Sequence, residues 1–158
     1  MDINILDYVK KDTVFFGLKA KNKKAVFTIM LDALIAAKQI AAKDKAIILK
    51  TLLKREEMGS TAIGGRIAFP HARIDVVKDV VLCVAISQTG IDFDSLDQDA
   101  VNVIILLLSN QKDAGLHLKM LAFLARMLRD KYFVQQLKDA KTHTEVFALL
   151  SKQQQAAR

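Results

Sequence analysis

Apolar positions recur at helical spacing through much of the first sixty residues. Ala25, Val26, Ile29, Met30, Ala33, Leu34 and Ala37 follow one another in steps of three and four, the signature of an amphipathic helix. A second helix is predicted at about 44–56, with Ile48, Leu49, Leu52 and Leu53 inward and Lys45, Lys50 and Lys54 outward. The glycine-rich stretch 57–66 ends it. Upstream, a helical turn is expected around Ile3–Val9, and Val14, Phe15 and Phe16 give Thr13–Leu18 strand character. Ile67–Phe69 reads as extended, since Pro70 biases the residue before it towards the β region.

Two unbroken apolar runs follow, Val80–Ile86 and Val103–Leu108. Runs without polar alternation suit strands buried on both faces, as in a sheet covered by helices on each side. Three helices are predicted beyond them, at about 114–129, 131–139 and 143–152. In the first, Leu118, Leu121, Leu124, Ala125 and Leu128 form the expected inward stripe. Helices and strands alternate, so the fold class is α/β: a single domain with a mixed β-sheet flanked by α-helices on both faces. The domain is expected over residues 1–152, with 153–158 as a frayed tail.

Composition narrows the function classes. One cysteine in 158 residues makes neither an internal disulfide nor a multi-thiolate zinc site. Cys83, inside VVLCVAI, reads as buried and inert. The net charge of +7 favours anionic partners, and most of the basic surplus, 12 basic against 7 acidic side chains, lies in residues 1–57. Aromatic–basic interleaving of the RNA-binding kind is absent, so nucleic-acid binding is not expected; a salt-dependent affinity for DNA or RNA is its test. No apolar run approaches the ~20 residues of a membrane-spanning helix. The start, MDINILDYVKKD, is acidic where a signal peptide is basic. A cytoplasmic protein without membrane insertion is expected.

Candidate chemistry concentrates where glycine and proline do. Gly59, Gly64, Gly65 and the single proline, Pro70, all fall within twelve residues. Gly59–Arg66 has the outline of a Walker A loop but fails in detail. Arg66 stands at the lysine position, Ile67 replaces the magnesium-binding hydroxyl, and a helix precedes the loop instead of following it. Ser60 has no GxSxG elbow around it. The three histidines, His71, His117 and His143, form no HExxH pair, so no metal or other cofactor is expected. His143, in KTHTEV, reads as a surface residue near a helix start.

His71 remains: an imidazole placed by a proline at a strand end, beside a hydroxyl-bearing loop. On its own it is more often a surface histidine after a turn. A neutral ring nitrogen is nevertheless a competent nucleophile at cytosolic pH. Attack on a phosphoryl group needs cations and hydrogen-bond donors around the transferring oxygens. Arg55 could supply a forked guanidinium, or could equally be a helix-terminal charge. His117 lies near a helix start, a position that favours anions.

The string from Arg55 to Ala72, RE-x-MGSTAIGGRIAFPHA, resembles the active-site region of IIA domains of the bacterial phosphotransferase system, in the fructose/mannitol/nitrogen-regulatory (type-2 EIIA) class. The family pattern is RE, then GSTGIG-x-GIAIPH, and later HL-x-x-LA-x-L. Here the last is His117-Leu-Lys-Met-Leu-Ala-Phe-Leu, and the FDSLD stretch at Phe93–Asp97 is also similar. The resemblance spans nearly the whole chain. It implies a phosphocarrier in which His71 accepts a phosphoryl group from the phosphohistidine of HPr or an HPr paralogue. Arg55 would stabilise the phosphoryl charge, and His117 would line the site. Ser60 and Thr61 match the family's hydroxyl pair and would shape the phosphate pocket. The acceptor would be a IIB domain in sugar uptake, or a regulatory target protein bound according to phosphorylation state; the regulatory role is preferred because nothing ties the chain to a sugar. Three residues depart from the pattern: Ala62 and Arg66 replace usual glycines, and Phe69 replaces an aliphatic residue. Arg66 would either deepen the phosphate site or point into solvent, and if the position needs positive φ the loop geometry would change.

Overall fold

A computed structural model describes residues 3–62 and 64–157. Five strands form one mixed sheet: β1 (Val14–Phe15), β2 (Ile67–Ala68), β3 (His71–Arg73), β4 (Val81–Ile91) and β5 (Val101–Ser109). β4 and β5 are its antiparallel centre. β1 adds parallel to β4, while β2 and β3 add parallel to β5 one after the other along the opposite edge. Five helices cover it: α1 (Lys23–Ala36), α2 (Lys45–Glu57), α3 (Ala114–Leu128), α4 (Lys131–Asp139) and α5 (His143–Ala156).

The two apolar runs explain the layering. Val81, Cys83 and Ala85 join the core under α1 and α2 with Ile104, Leu106 and Leu108. Leu82, Val84 and Ile86 join the core under α3, α4 and α5 with Val103, Ile105 and Leu107. Strand side chains alternate between faces, so a sheet with two covered faces needs apolar residues at every position. Gly90 lies where the β4–β5 register shifts. Its φ is +85°, and a Cβ there would stand 2.7 Å from that of Ala100. Side-chain caps set helix starts: Asn22 accepts from Ala25 N–H, Asp130 from Tyr132 and Phe133, and Thr142 from Glu145.

Three expectations are corrected. The buried face of α3 is His117, Met120, Phe123, Leu124 and Met127, whereas Leu118 is 65% exposed and Ala125 is exposed. Nearly every position in this helix is apolar, so periodicity alone does not set which stripe turns inward. Residues 153–156 are helix, not a frayed tail. Gln154 is buried, and its Oε1 accepts from Ile5 N–H at 2.8 Å, tying the last helix to the first turn. His143 is half-buried: its Nε2 lies 3.0 Å from the Val14 carbonyl and Phe16 meets its ring edge-on. Cys83 is fully buried as expected, and burial pushes its thiol pKa up.

Candidate active site

The edge strand β3 holds His71 and Arg73. Leu107 N–H donates to the Pro70 carbonyl at 3.0 Å, and His71, Ala72 and Arg73 then pair with Leu107, Leu108 and Ser109. Ala72 packs into the core under α1 and α2. Alternation therefore turns His71 and Arg73 to the other face, towards α3. His71 Nδ1 lies 3.0 Å from the Phe69 carbonyl oxygen. A carbonyl only accepts, so Nδ1 carries the proton and Nε2 holds the free lone pair. The proline between the two partners keeps this bond local, and the Phe69 ring leans on the imidazole at 5.8 Å.

His117, on the first turn of α3, brings its ring to 5.8 Å from that of His71. It is buried, and its Nδ1 is hydrogen-bonded to the Ser109 hydroxyl. Ser109 ends β5 opposite Arg73, so one register position fixes both. Burial first, then the charges of His71 and Arg73, lower the His117 pKa to about 4. The ring is therefore neutral at neutral pH. The Ser109 hydroxyl engages Nδ1, which leaves Nε2 as the ring nitrogen for a ligand.

These side chains face a cleft of about 450 Å³ that also takes in Thr51, Arg55 and Gln111. Arg55 lies in the last turn of α2 and donates from Nη1 to the Gly59 carbonyl at 2.8 Å. That bond ties the helix end to the glycine-rich loop and leaves the rest of the fork for the cleft. No acidic side chain lines the cleft among the described residues. Two guanidiniums and two imidazoles around one opening, with Leu118 and Leu121 at its rim, make a receptor for a small multiply charged anion.

The predicted trio Arg55, His71 and His117 is thus brought together, from a helix end, a strand and a helix start. The other predicted residues lie elsewhere. Ser60 Oγ donates to the Phe93 carbonyl at 2.8 Å and accepts from Ala62 N–H. Thr61 Oγ1 is hydrogen-bonded to the buried carboxylate of Glu56, which also accepts from Thr61 N–H and pairs with Lys23 at 2.9 Å. Both hydroxyls hold the loop together instead of lining the cleft. Arg66 does not line it either. Its carbonyl accepts from Asn102 and Val103, whereas His71 is level with Leu107. Five residues along β5 is roughly 16 Å, which is why Arg66 lies near the other end of the sheet. It takes φ = +66°, a left-handed conformation that costs a non-glycine residue about 1–2 kcal/mol. The loop geometry that glycine adopts freely is reached here under strain. Residue 63 of the loop lies outside the described residues.

Arg73, Gln111 and Ser109 were missed by sequence reasoning. Arg73 had a signal: on a strand, the residue two after His71 shares its face. Ser109 and Gln111 had none, because their roles depend on strand register and on the turn that follows β5.

A family profile described as "Phosphoenolpyruvate-dependent sugar phosphotransferase system, EIIA 2" matches residues 7–153. The chain is 28% identical over 147 residues to the nitrogen regulatory protein of Bradyrhizobium diazoefficiens, covering 93% of this chain and 94% of that protein. It is 29% identical over 130 residues to the fructose-specific EIIA component of Haloferax volcanii, covering 82% and 83%. Among solved structures, nitrogen regulatory protein IIA-Ntr from Neisseria meningitidis superposes with a TM-score of 0.83 at 26% identity, covering 92% of this chain and 98% of that one. Enzyme IIA-mannitol from Escherichia coli, solved in complex with phosphorylated enzyme IIB-mannitol, shares the fold with a TM-score of 0.76 at 20% identity, covering 91% and 97%.

Proposed function

The chain belongs to the EIIA 2 family of the phosphoenolpyruvate-dependent sugar phosphotransferase system, and from that premise we propose that it is a cytoplasmic phosphocarrier whose acceptor is Nε2 of His71. The observation that carries the reading is the bond from Nδ1 to the Phe69 carbonyl, which leaves Nε2 free in a cleft with two arginines. The donor is the phosphohistidine of HPr or of an HPr paralogue. The His71 Nε2 lone pair attacks phosphorus, a new N–P bond forms, and the donor's N–P bond breaks with its electron pair returning to the donor imidazole. Arg55, Arg73 and His117 Nε2 meet the equatorial oxygens, where charge is greatest. The phosphorylated ring becomes cationic, and its Nδ1–H bond to Phe69 strengthens as it does so. No metal or nucleotide takes part.

The preferred role is regulatory: a standalone protein of the nitrogen-regulatory type, whose phosphorylation state controls its binding to target proteins. Near full-length similarity to a nitrogen regulatory protein supports it. The alternative is a sugar-specific IIA that passes the phosphoryl group to a cysteine of a IIB domain, and similarity to a fructose-specific EIIA component favours that reading. Labelling from phosphoenolpyruvate through enzyme I and HPr, followed by a chase with a fructose-type or mannitol-type IIB, tests both. His71→Ala should abolish labelling. Label that stays on this chain during the chase supports the regulatory role, and rapid transfer to the IIB cysteine supports sugar uptake.

A further inference from the structure

Arg66 departs from the site that sequence reasoning gave it, and a second cleft surrounds it. This cleft, about 290 Å³, is lined by Arg66, Lys131, Lys138, Asp97, Asp99 and Asn102 among others. Lys131 and Lys138 are seven residues apart on α4, two helical turns, so both project from one face. Arg66, Lys131 and Lys138 enter no ion pair among the described residues. Asp97 is committed to its own loop, its Oδ1 accepting from the Ser95 hydroxyl and Asp99 N–H and its Oδ2 from Gly65 N–H, but it keeps its charge, so three cations and two carboxylates line the cleft.

Asn102 is a second, independent feature. Its side chain is buried, and its amide nitrogen donates to the Ser87 and Gln88 carbonyls at 2.8 and 3.4 Å. That fixes the flip and turns Oδ1 towards Arg66, 3.5 Å away at the cleft. A buried acceptor is thus held in place beside Arg66 at the cleft. Backbone strain at Arg66 has the same sense: a side chain kept at φ = +66° invites a functional explanation.

We propose that this cleft is a binding site for a small phosphomonoester bearing hydroxyl groups. Arg66, Lys131 and Lys138 supply the cations for a dianionic phosphate, and the Arg66 fork suits its oxygens. Asn102 Oδ1 and the Asp99 carboxylate accept from the ligand's hydroxyls. A cleft of about 290 Å³ holds roughly ten waters' worth of volume and sits at the lower limit for ligand pockets, which selects a small metabolite over a nucleotide. The site stands apart from the phosphocarrier reading and needs no phosphorylation.

The test is calorimetric and NMR titration of the unphosphorylated full chain with glycerol 3-phosphate at low ionic strength. Saturable binding is expected, with amide shifts centred on Gly65, Asn102 and Gln135. Arg66→Gly keeps the loop conformation, Lys138→Gln leaves the backbone untouched, and each should weaken binding about tenfold or more, the size of a lost charge-assisted bond. His71→Ala should bind as wild type does. The proposal is overturned by absence of saturable binding, by full affinity in both cleft variants, or by loss of binding in His71→Ala. Inorganic phosphate binding as tightly as glycerol 3-phosphate would overturn the roles of Asp99 and Asn102.

Discussion

Two kinds of neighbour around His71 do different electrostatic work. Arg55 and Arg73 are permanent charges, and replacing either by alanine should slow phosphorylation of His71 about 100- to 1000-fold, the range for removing one transition-state donor. Single-turnover labelling measures it, and an unchanged rate for either variant removes that residue from the mechanism. His117 is a neutral ring at neutral pH, and its burial makes stability depend on pH. Its folded-state pKa of about 4 lies below the ordinary histidine value of 6.5. On acidification the unfolded chain takes up this proton first, so stability is full above about 6.5 and falls as the pH drops towards 4. Melting curves across that window should show the loss in wild type and a flatter dependence in His117→Gln. An equal slope in both would place the titration elsewhere.

Local chemistry made most elements legible and left their phase and junctions unread. Helices α1, α2 and α4 and both central strands lie close to where apolar spacing and the two aliphatic runs place them. In α3 the apolar surplus hid the inward stripe, since leucines fill both the core face and the rim of the cleft. The end of α5 was read as a tail because a glutamine-rich segment has no apolar signal. It is helix because Gln154 finds a partner 149 residues away in the sequence, and such a bond has no local signature. Gln154→Ala leaves Ile5 N–H unpaired in the interior, costing about 1–2 kcal/mol and lowering Tm by roughly 2–8 °C. A thermal melt checks this, and an unchanged Tm would return the segment to the role of a tail. The site divides in the same way. The motif exposed His71, Arg55 and His117, whereas Ser60, Thr61 and Arg66 share that motif without sharing the cleft. Sequence adjacency cannot tell a loop's internal bonds from its ligand contacts. Nor does it show that two stretches five residues apart lie at different levels of one strand.

At the scale of the whole molecule, the sheet presents its chemistry at an edge. β3 is short and has one partner strand, so side chains from both helical layers reach it: Arg55 from α2 and His117 from α3. Leu118, 65% exposed, and Leu121 line the same opening, which suits the docking of the proposed phosphohistidine donor. Leu118→Asp should therefore raise the KM for the phosphodonor about tenfold while leaving Tm and the maximal rate near wild type; a fall in maximal rate alone would contradict a docking role. The net charge of +7 is divided between the arginines of this cleft, the cations around Arg66 and solvated helix faces. The central claim, that Nε2 of His71 takes the phosphoryl group, is tested most directly by ³¹P and ¹⁵N NMR of the chain phosphorylated by enzyme I and HPr. The predicted result is one phosphohistidine, bonded through Nε2 and absent in His71→Ala. A phosphoryl group on Nδ1, or one that persists in His71→Ala, would contradict it.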